Sequence, residues 1–115
     1  MYKKGNVFEK NEHNNWFYGH FMEGLAKDDR VEIKVNTLVK GYSDTDHYLK
    51  VATKLDIIWE GKAIWQLDGE DIPLETGDYL IIPPKVRVRV KVVLSDRLIV
   101  QTIKIPSIPD DKVMV

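Results

Sequence analysis

The sequence predicts an all-β fold, an antiparallel sandwich or barrel, on three observations. Strand-like runs recur about every ten residues with turn residues between them. No apolar pattern of period 3.6 persists for three turns, so no amphipathic helix of ordinary length is encoded. The clearest runs, Val31-Glu-Ile-Lys-Val-Asn36 and Lys85-Val-Arg-Val-Arg-Val90, alternate strictly between apolar and polar residues, which is the pattern of a sheet with one buried face.

Residues 1–15 are polar, rich in Asn and Lys, and read as a lead-in. Trp16-Phe-Tyr-Gly-His-Phe21 has strand propensity and predicts a strand covering one end of the barrel, a stacking surface for ligand, or a subunit contact. After a charged loop over 24–30, the alternating strand from Val31 runs on through Thr37 to Lys40 and turns at Gly41. The polar segment 41–46 positions His47 at the start of a strand, with His47 and Leu49 on one face. Leu55 to Trp59 and Lys62 to Leu67 follow as strands, and Asp68-Gly69 is the strongest hairpin signal in the chain. Pro73 confines Glu70 to Leu74 to an edge, because it has no N–H for a central ladder.

Tyr79 to Ile82 is apolar throughout and predicts a strand buried on both sides. In the run from Lys85, Val86, Val88, Val90 and Val92 share one face and Lys85, Arg87, Arg89 and Lys91 the other. Leu98 to Ile105 is the last strand, and Pro106 and Pro109 bracket a tail over 106–115.

The totals describe a single domain over 1–115 with a formal charge of -1 and 30% charged residues, so no overall field points to nucleic acid or an anionic membrane. There is no cysteine, which excludes disulfides, thiolate metal sites and thiol nucleophiles. The N-terminus lacks the roughly 7–15-residue apolar core of a signal peptide, and no apolar run approaches the roughly 20 residues of a membrane span. A cytoplasmic location is expected.

Two glycine-anchored blocks organise the middle of the chain, Gly41 to Gly61 and Gly77 to Val88. They resemble the two motifs of the cupin superfamily: Gly, five residues, His-any-His, a short gap, Glu, six residues and Gly, then Gly, five residues, Pro-any-Gly, two residues and His. Gly41 stands six residues before His47, Gly61 seven after Lys54, and Gly77 six before Pro83. Where the family carries its metal ligands, this chain has His47, Leu49, Lys54 and Val88. The resemblance therefore implies a double-stranded β-helix, the jelly-roll barrel of cupins, and argues against the cupin metal or any other cofactor. It also implies a homodimer, for which Trp16 to Phe21 and the Pro-bracketed tail are the expected contacts.

If the motif carries over, His47 and Lys54 face the lumen, and Asp56, two residues on, faces it too. Three such groups in an apolar cup perturb one another's pKa values, the condition for proton transfer or anion binding. The competing reading is structural: Lys54 and Asp56 form an ion pair and His47 bonds to backbone. His47-Tyr48 followed by Lys54-Leu55, a hydrophobic strand and Gly61 is also similar to metal-free cupin enzymes that epimerise or isomerise nucleotide-linked deoxysugars. There a His is the base and a Lys neighbours the substrate carbonyl; here the His-to-Lys spacing is shorter. Tyr79 and Asp56 are candidates by residue type for that family's catalytic Tyr and base-orienting Asp.

Trp65 shares a face with Ala63 and Leu67 and is a candidate ligand contact, while Trp59 is assigned to the core. The basic stripe from Lys85 to Lys91 reads as a solvated sheet surface that discourages edge pairing, not as a nucleic-acid site. The sequence thus predicts a metal-free barrel in which His47, Lys54, Asp56, Trp65 and Tyr79 bind a small polar or anionic molecule, such as a carbohydrate derivative. The alternative is a cofactor-independent sugar-nucleotide epimerase or isomerase with His47 as base and Lys54 as enolate stabiliser.

Overall fold

The computed structural model describes residues 1–115. In chain order its strands are β1 (Trp16–Tyr18), β2 (Glu32–Val39), β3 (His47–Leu49), β4 (Thr53–Glu60), β5 (Lys62–Leu67), β6 (Glu70–Glu75), β7 (Tyr79–Ile82), β8 (Val88–Val93), β9 (Arg97–Ile105) and β10 (Lys112–Met114). The only helical element is a 3-10 turn over Gly24–Ala26, so no helix is long and apolar enough to cross a membrane.

The strands form two five-stranded antiparallel sheets, ordered β1-β2-β9-β4-β7 and β10-β3-β8-β5-β6. The chain crosses from one sheet to the other repeatedly as it advances, which is the jelly-roll arrangement. Ile58, Trp65, Val88, Val93 and Leu98, drawn from both sheets, are each no more than 2% exposed and fill the space between them. Burying an aliphatic side chain of this kind contributes about 1.5–3 kcal/mol.

Local sequence explains the connections. Asp68 and Gly69 both take positive φ, +47° and +84°, as a two-residue hairpin turn between paired Leu67 and Glu70 requires. Gly61 has φ +110°, and a Cβ there would lie 2.5 Å from the Arg97 carbonyl oxygen and 2.6 Å from Ser95 Oγ. Only glycine fits between β4 and β5. Pro73 lies on β6, at the outer edge of its sheet.

Four expectations are corrected. β7 is buried on one side only: Leu80 packs against the core and Ile82 is buried, while Tyr79 and Ile81 are 65% and 57% exposed. The alternation of β8 breaks at a bulge, because Trp65 pairs with Val90 but Ile64 with Val92. Lys91 is the extra residue, and the bulge turns Val93 inward in place of Val92. Trp59 is not core; it lies on the outer face, 42% exposed, donating from Nε1 to Gln101 Oε1 at 3.2 Å with Phe8 edge-on to its ring. Finally, the last residues of the tail are a strand of the barrel, since β10 pairs residue for residue with β3. Buried Asp111 fixes it by accepting hydrogen bonds from the Val51 and Ala52 amides at 2.9 and 3.0 Å.

Candidate functional site

The cup is built on the rungs of the first sheet. Trp16 pairs with Lys34, Lys34 with Thr102, and Thr102 with Asp56, so one rung runs across four strands with all four side chains turned inward. The neighbouring rung joins Glu32 to Lys104 and Lys104 to Lys54. Apolar residues continue the same rows deeper in the barrel, where Val100 pairs with Asn36 and Ile58. The second sheet closes the other side with His47, Trp65 and Val88, and β10 brings Lys112 to the wall. The cavity measures about 170 Å³.

Asp56 is the fixed point of this site. Its carboxylate is 1% exposed and accepts hydrogen bonds from the Thr102 hydroxyl at 2.7 Å and from Trp65 Nε1 at 3.1 Å. Lys54 Nζ lies 3.6 Å from the same group. With both oxygens occupied, Asp56 holds Trp65 and Lys54 in place and is not free to act as a base.

His47 Nδ1 lies 3.0 Å from the Thr45 carbonyl oxygen, and a carbonyl only accepts, so Nδ1 carries the proton and Nε2 presents its lone pair. Burial, reinforced by the Lys54 charge, lowers the imidazole pKa from 6.5 to about 4, so the ring is neutral at neutral pH. Both contacts of the structural reading, the Lys54–Asp56 pair and the His47–backbone bond, are therefore present.

They do not account for the rest of the charge. Five cationic side chains, Lys34, Lys54, Arg89, Lys104 and Lys112, line the cavity against the carboxylates of Asp44 and Asp56. Lys54 and Lys104 are direct cross-strand partners, a like-charge juxtaposition that destabilises a sheet. Arg89 Nε sits 4.0 Å from Asp46 and bonds Gln66 at 2.9 Å; Lys34, Lys104 and Lys112 have no ion pair within 4.0 Å. Lys34 and Lys104 Nζ instead lie 4.6 and 4.9 Å from the centre of the Trp16 ring, whose π face partly offsets their charge. Burial, and then the fields of Lys54, Lys104 and Lys112, lower the Lys34 pKa to about 8. Burial lowers Lys104 and Lys112 in the same direction and raises Asp44.

Of the residues singled out from sequence, the structure brings His47, Lys54, Asp56 and Trp65 together in the cup. Tyr79 is corrected: it lies on the outward face of β7, opposite Ile57, away from the cavity. Sequence reasoning missed Lys34, Lys104 and Lys112, while Trp16 lies on the cavity wall, as the stacking-surface reading of that run allowed. Of the basic stripe, Arg89 bonds Gln66 at the cavity wall and Lys91 bonds Asp71 at 2.7 Å.

A metal does not fit the donor set. The four positions where cupins carry ligands hold one imidazole, two aliphatic side chains and an ammonium, with His47 directly opposite Val88. No three His, Asp or Glu side chains converge elsewhere, and one nitrogen beside a lysine cannot hold a divalent ion.

No family model matches the sequence, and no curated protein matches it. Solved structures do. A cupin protein from Bacteroides fragilis is 26% identical with a TM-score of 0.63, over 67% of this chain and 66% of that one, just under two thirds of its length. A variant of Streptomyces PAC13 solved with uridine superposes with a TM-score of 0.66 at 14% identity, over 76% of this chain and 70% of that chain. Salicylate 1,2-dioxygenase from Pseudaminobacter salicylatoxidans shares the fold at 17% identity and a TM-score of 0.62, over 70% of this chain and 23% of the enzyme. Motif spacing, two-sheet topology and these likenesses agree on the fold: the chain is a jelly-roll barrel of the cupin type, and the positions where the cupin motif carries metal ligands hold His47, Leu49, Lys54 and Val88.

Proposed function

We propose that this barrel binds a small organic anion, carboxylate- or phosphate-bearing, without a metal. The observation that carries this reading is the excess of inward cations over the carboxylates that line the same cavity, five against Asp44 and Asp56, centred on the cross-strand pair Lys54 and Lys104. Like charges brought together in a half-buried cup cost stability in the empty protein. An anion placed among them relieves that repulsion, so its binding is favoured by the same field that lowers the lysine pKa values. Size narrows the class. The cavity of about 170 Å³ is on the scale of a short-chain acid or a single sugar ring. Trp16, half-buried on the cavity wall, offers an aromatic face for such a ring.

Titration of tryptophan fluorescence with glucuronate and with glucose tests this, because the two differ by one carboxylate. Glucuronate quenches with an affinity that falls as salt rises, and glucose does not bind. Equal binding of both sugars overturns the reading.

A second reading, a cofactor-independent isomerase or epimerase of sugar nucleotides, is favoured by the open lone pair of His47 Nε2 beside Lys54. The nucleoside held by the PAC13 variant lends it support by fold likeness. Against it, a base with a pKa of about 4 is weak at neutral pH. Solvent deuterium incorporation into keto-deoxysugar nucleotides, lost in His47→Gln, is its expected result; binding without exchange rejects it.

We further propose that 1–115 acts as one domain and pairs as a homodimer through the outer face of the first sheet. Trp59, Tyr79, Ile81 and Ile105 are between 42% and 65% exposed there, an apolar patch of the kind that marks interaction sites. Light scattering should report a dimer that Ile81→Glu converts to monomer; a wild-type monomer refutes it.

A further inference from the structure

We propose that Lys34 is an amine nucleophile that forms an imine with the carbonyl of a small oxo acid whose carboxylate is held by the neighbouring lysines. This rests on the anion-binding reading and adds a covalent step to it. Position distinguishes Lys34 from the other inward amines. Lys54 has Asp56 as an ion-pair partner at 3.6 Å. Lys104 lies in the field of Glu32 across its rung, and Lys112 in that of Asp44. Lys34 Nζ lies 4.6 Å from the centre of the Trp16 ring, and the charges of Lys54, Lys104 and Lys112 all disfavour its protonated form. Asp56, a carboxylate whose field acts on it, is already shared among Lys54, Thr102 and Trp65.

An amine among cations on an apolar face is shifted towards its neutral, nucleophilic form, a recurrent way of activating lysine towards carbonyls. At pH 8 a group titrating near that value is half neutral, whereas an ordinary lysine is neutral in well under 1% of molecules. That gives Lys34 about 100-fold more reactive amine than a surface lysine at the same pH. The remaining lysines orient the substrate: Lys54 and Lys104, adjacent on the next rung, take the carboxylate. The Lys34 Nζ lone pair forms the new C–N bond, the carbonyl oxygen leaves as water with both hydrogens of the neutral amine, and the C=N bond is formed without oxidant or reductant.

The test is reductive trapping of the full chain. Protein is incubated at pH 8 with pyruvate and sodium cyanoborohydride, then mapped by peptide mass spectrometry, while lactate, which lacks the carbonyl, is titrated by tryptophan fluorescence. The expected result is a single reduced pyruvyl adduct on Lys34 that forms at least tenfold faster than any adduct on exposed Lys3, Lys40 or Lys62. It is suppressed by lactate and lost in Lys34→Arg. If lactate binds but labelling is absent, or follows surface exposure, the imine proposal is overturned and anion binding stands. If neither lactate nor pyruvate binds, both fall.

Discussion

Removing the Asp56 carboxylate should be the most destabilising single change in the cup. In Asp56→Ala the Lys54 ammonium, whose side chain is 14% exposed, loses its only ion-pair partner. The Thr102 hydroxyl and Trp65 Nε1 lose their acceptors as well. Breaking one side of a buried pair costs about 3–5 kcal/mol, and each unsatisfied donor about 1–3 kcal/mol. These overlap, since the Thr102 hydroxyl can rotate to another acceptor and Lys54 can move towards the mouth. The net expectation is about 3–5 kcal/mol, or a fall in Tm of roughly 12–20 °C for a chain of this size. Urea titration followed by circular dichroism measures the first and a thermal scan the second. Replacing the pair together, Lys54→Met with Asp56→Leu, should recover most of the loss, because apolar groups of similar volume replace a buried ion pair at little cost. A loss under about 1 kcal/mol in Asp56→Ala, or a double variant as unstable as the single, refutes the assignment of Asp56 as the structural anchor.

Other consequences are equally measurable. Because folding lowers the His47 pKa from 6.5 to about 4, the unfolded chain binds the extra proton between those values, and stability falls as pH drops through that window. The loss is about 3 kcal/mol in all, so His47→Phe should flatten the pH dependence between 6.5 and 4 by that amount relative to wild type; identical slopes contradict a buried neutral imidazole. Asp111→Ala should cost about 2 kcal/mol by leaving two amides without their charged acceptor and should remove hydrogen-exchange protection from β10, leaving the centre of β9 protected. Gly61→Ala should cost more than about 2 kcal/mol, from the left-handed backbone and the collision with the Arg97 carbonyl; near-neutral behaviour in a urea melt contradicts the packing described. Near pH 8, glucuronate binding should draw up to about half a proton onto Lys34, visible as a buffer-dependent enthalpy, and no buffer dependence argues against a half-neutral lysine in the cup.

The fold was legible because turn chemistry and strand period act locally. Asp68-Gly69, Pro73 and the spacing of Gly41, Gly61 and Gly77 place the turns, and the turns fix which strands can pair. The lysines of the cup were not legible, for a physical reason. Alternation in β2 suggests that Val31, Ile33 and Val35 face the core and Lys34 faces water. The polarity is inverted here: Lys34 and Asn36 line the cup, and Val35, though 3% exposed, is on the outer side. The same inversion brings Lys104 inward between Ile103 and Ile105, and Lys54 and Asp56 inward past Leu55 and Ile57. Period alone cannot assign a face as inner or outer when the barrel has a polar lumen at one end and an apolar patch outside. Lys54 and Asp56 were found only because motif spacing supplied the missing direction. Tyr79 was chosen by residue type with no such constraint, and it lies outside. Lys112 reached the cup through a strand too short, at three residues, to stand out in a proline-bracketed tail.

The most direct measurement is a crystal structure of the full chain grown with glucuronate and with zinc in separate drops. The expected density is a carboxylate within hydrogen-bond distance of at least two of Lys34, Lys54 and Lys104, with no ion at His47. A zinc ion bound by His47 in the cup, or glucuronate bound only outside the barrel, would contradict the view that lysines have taken over the place of the metal.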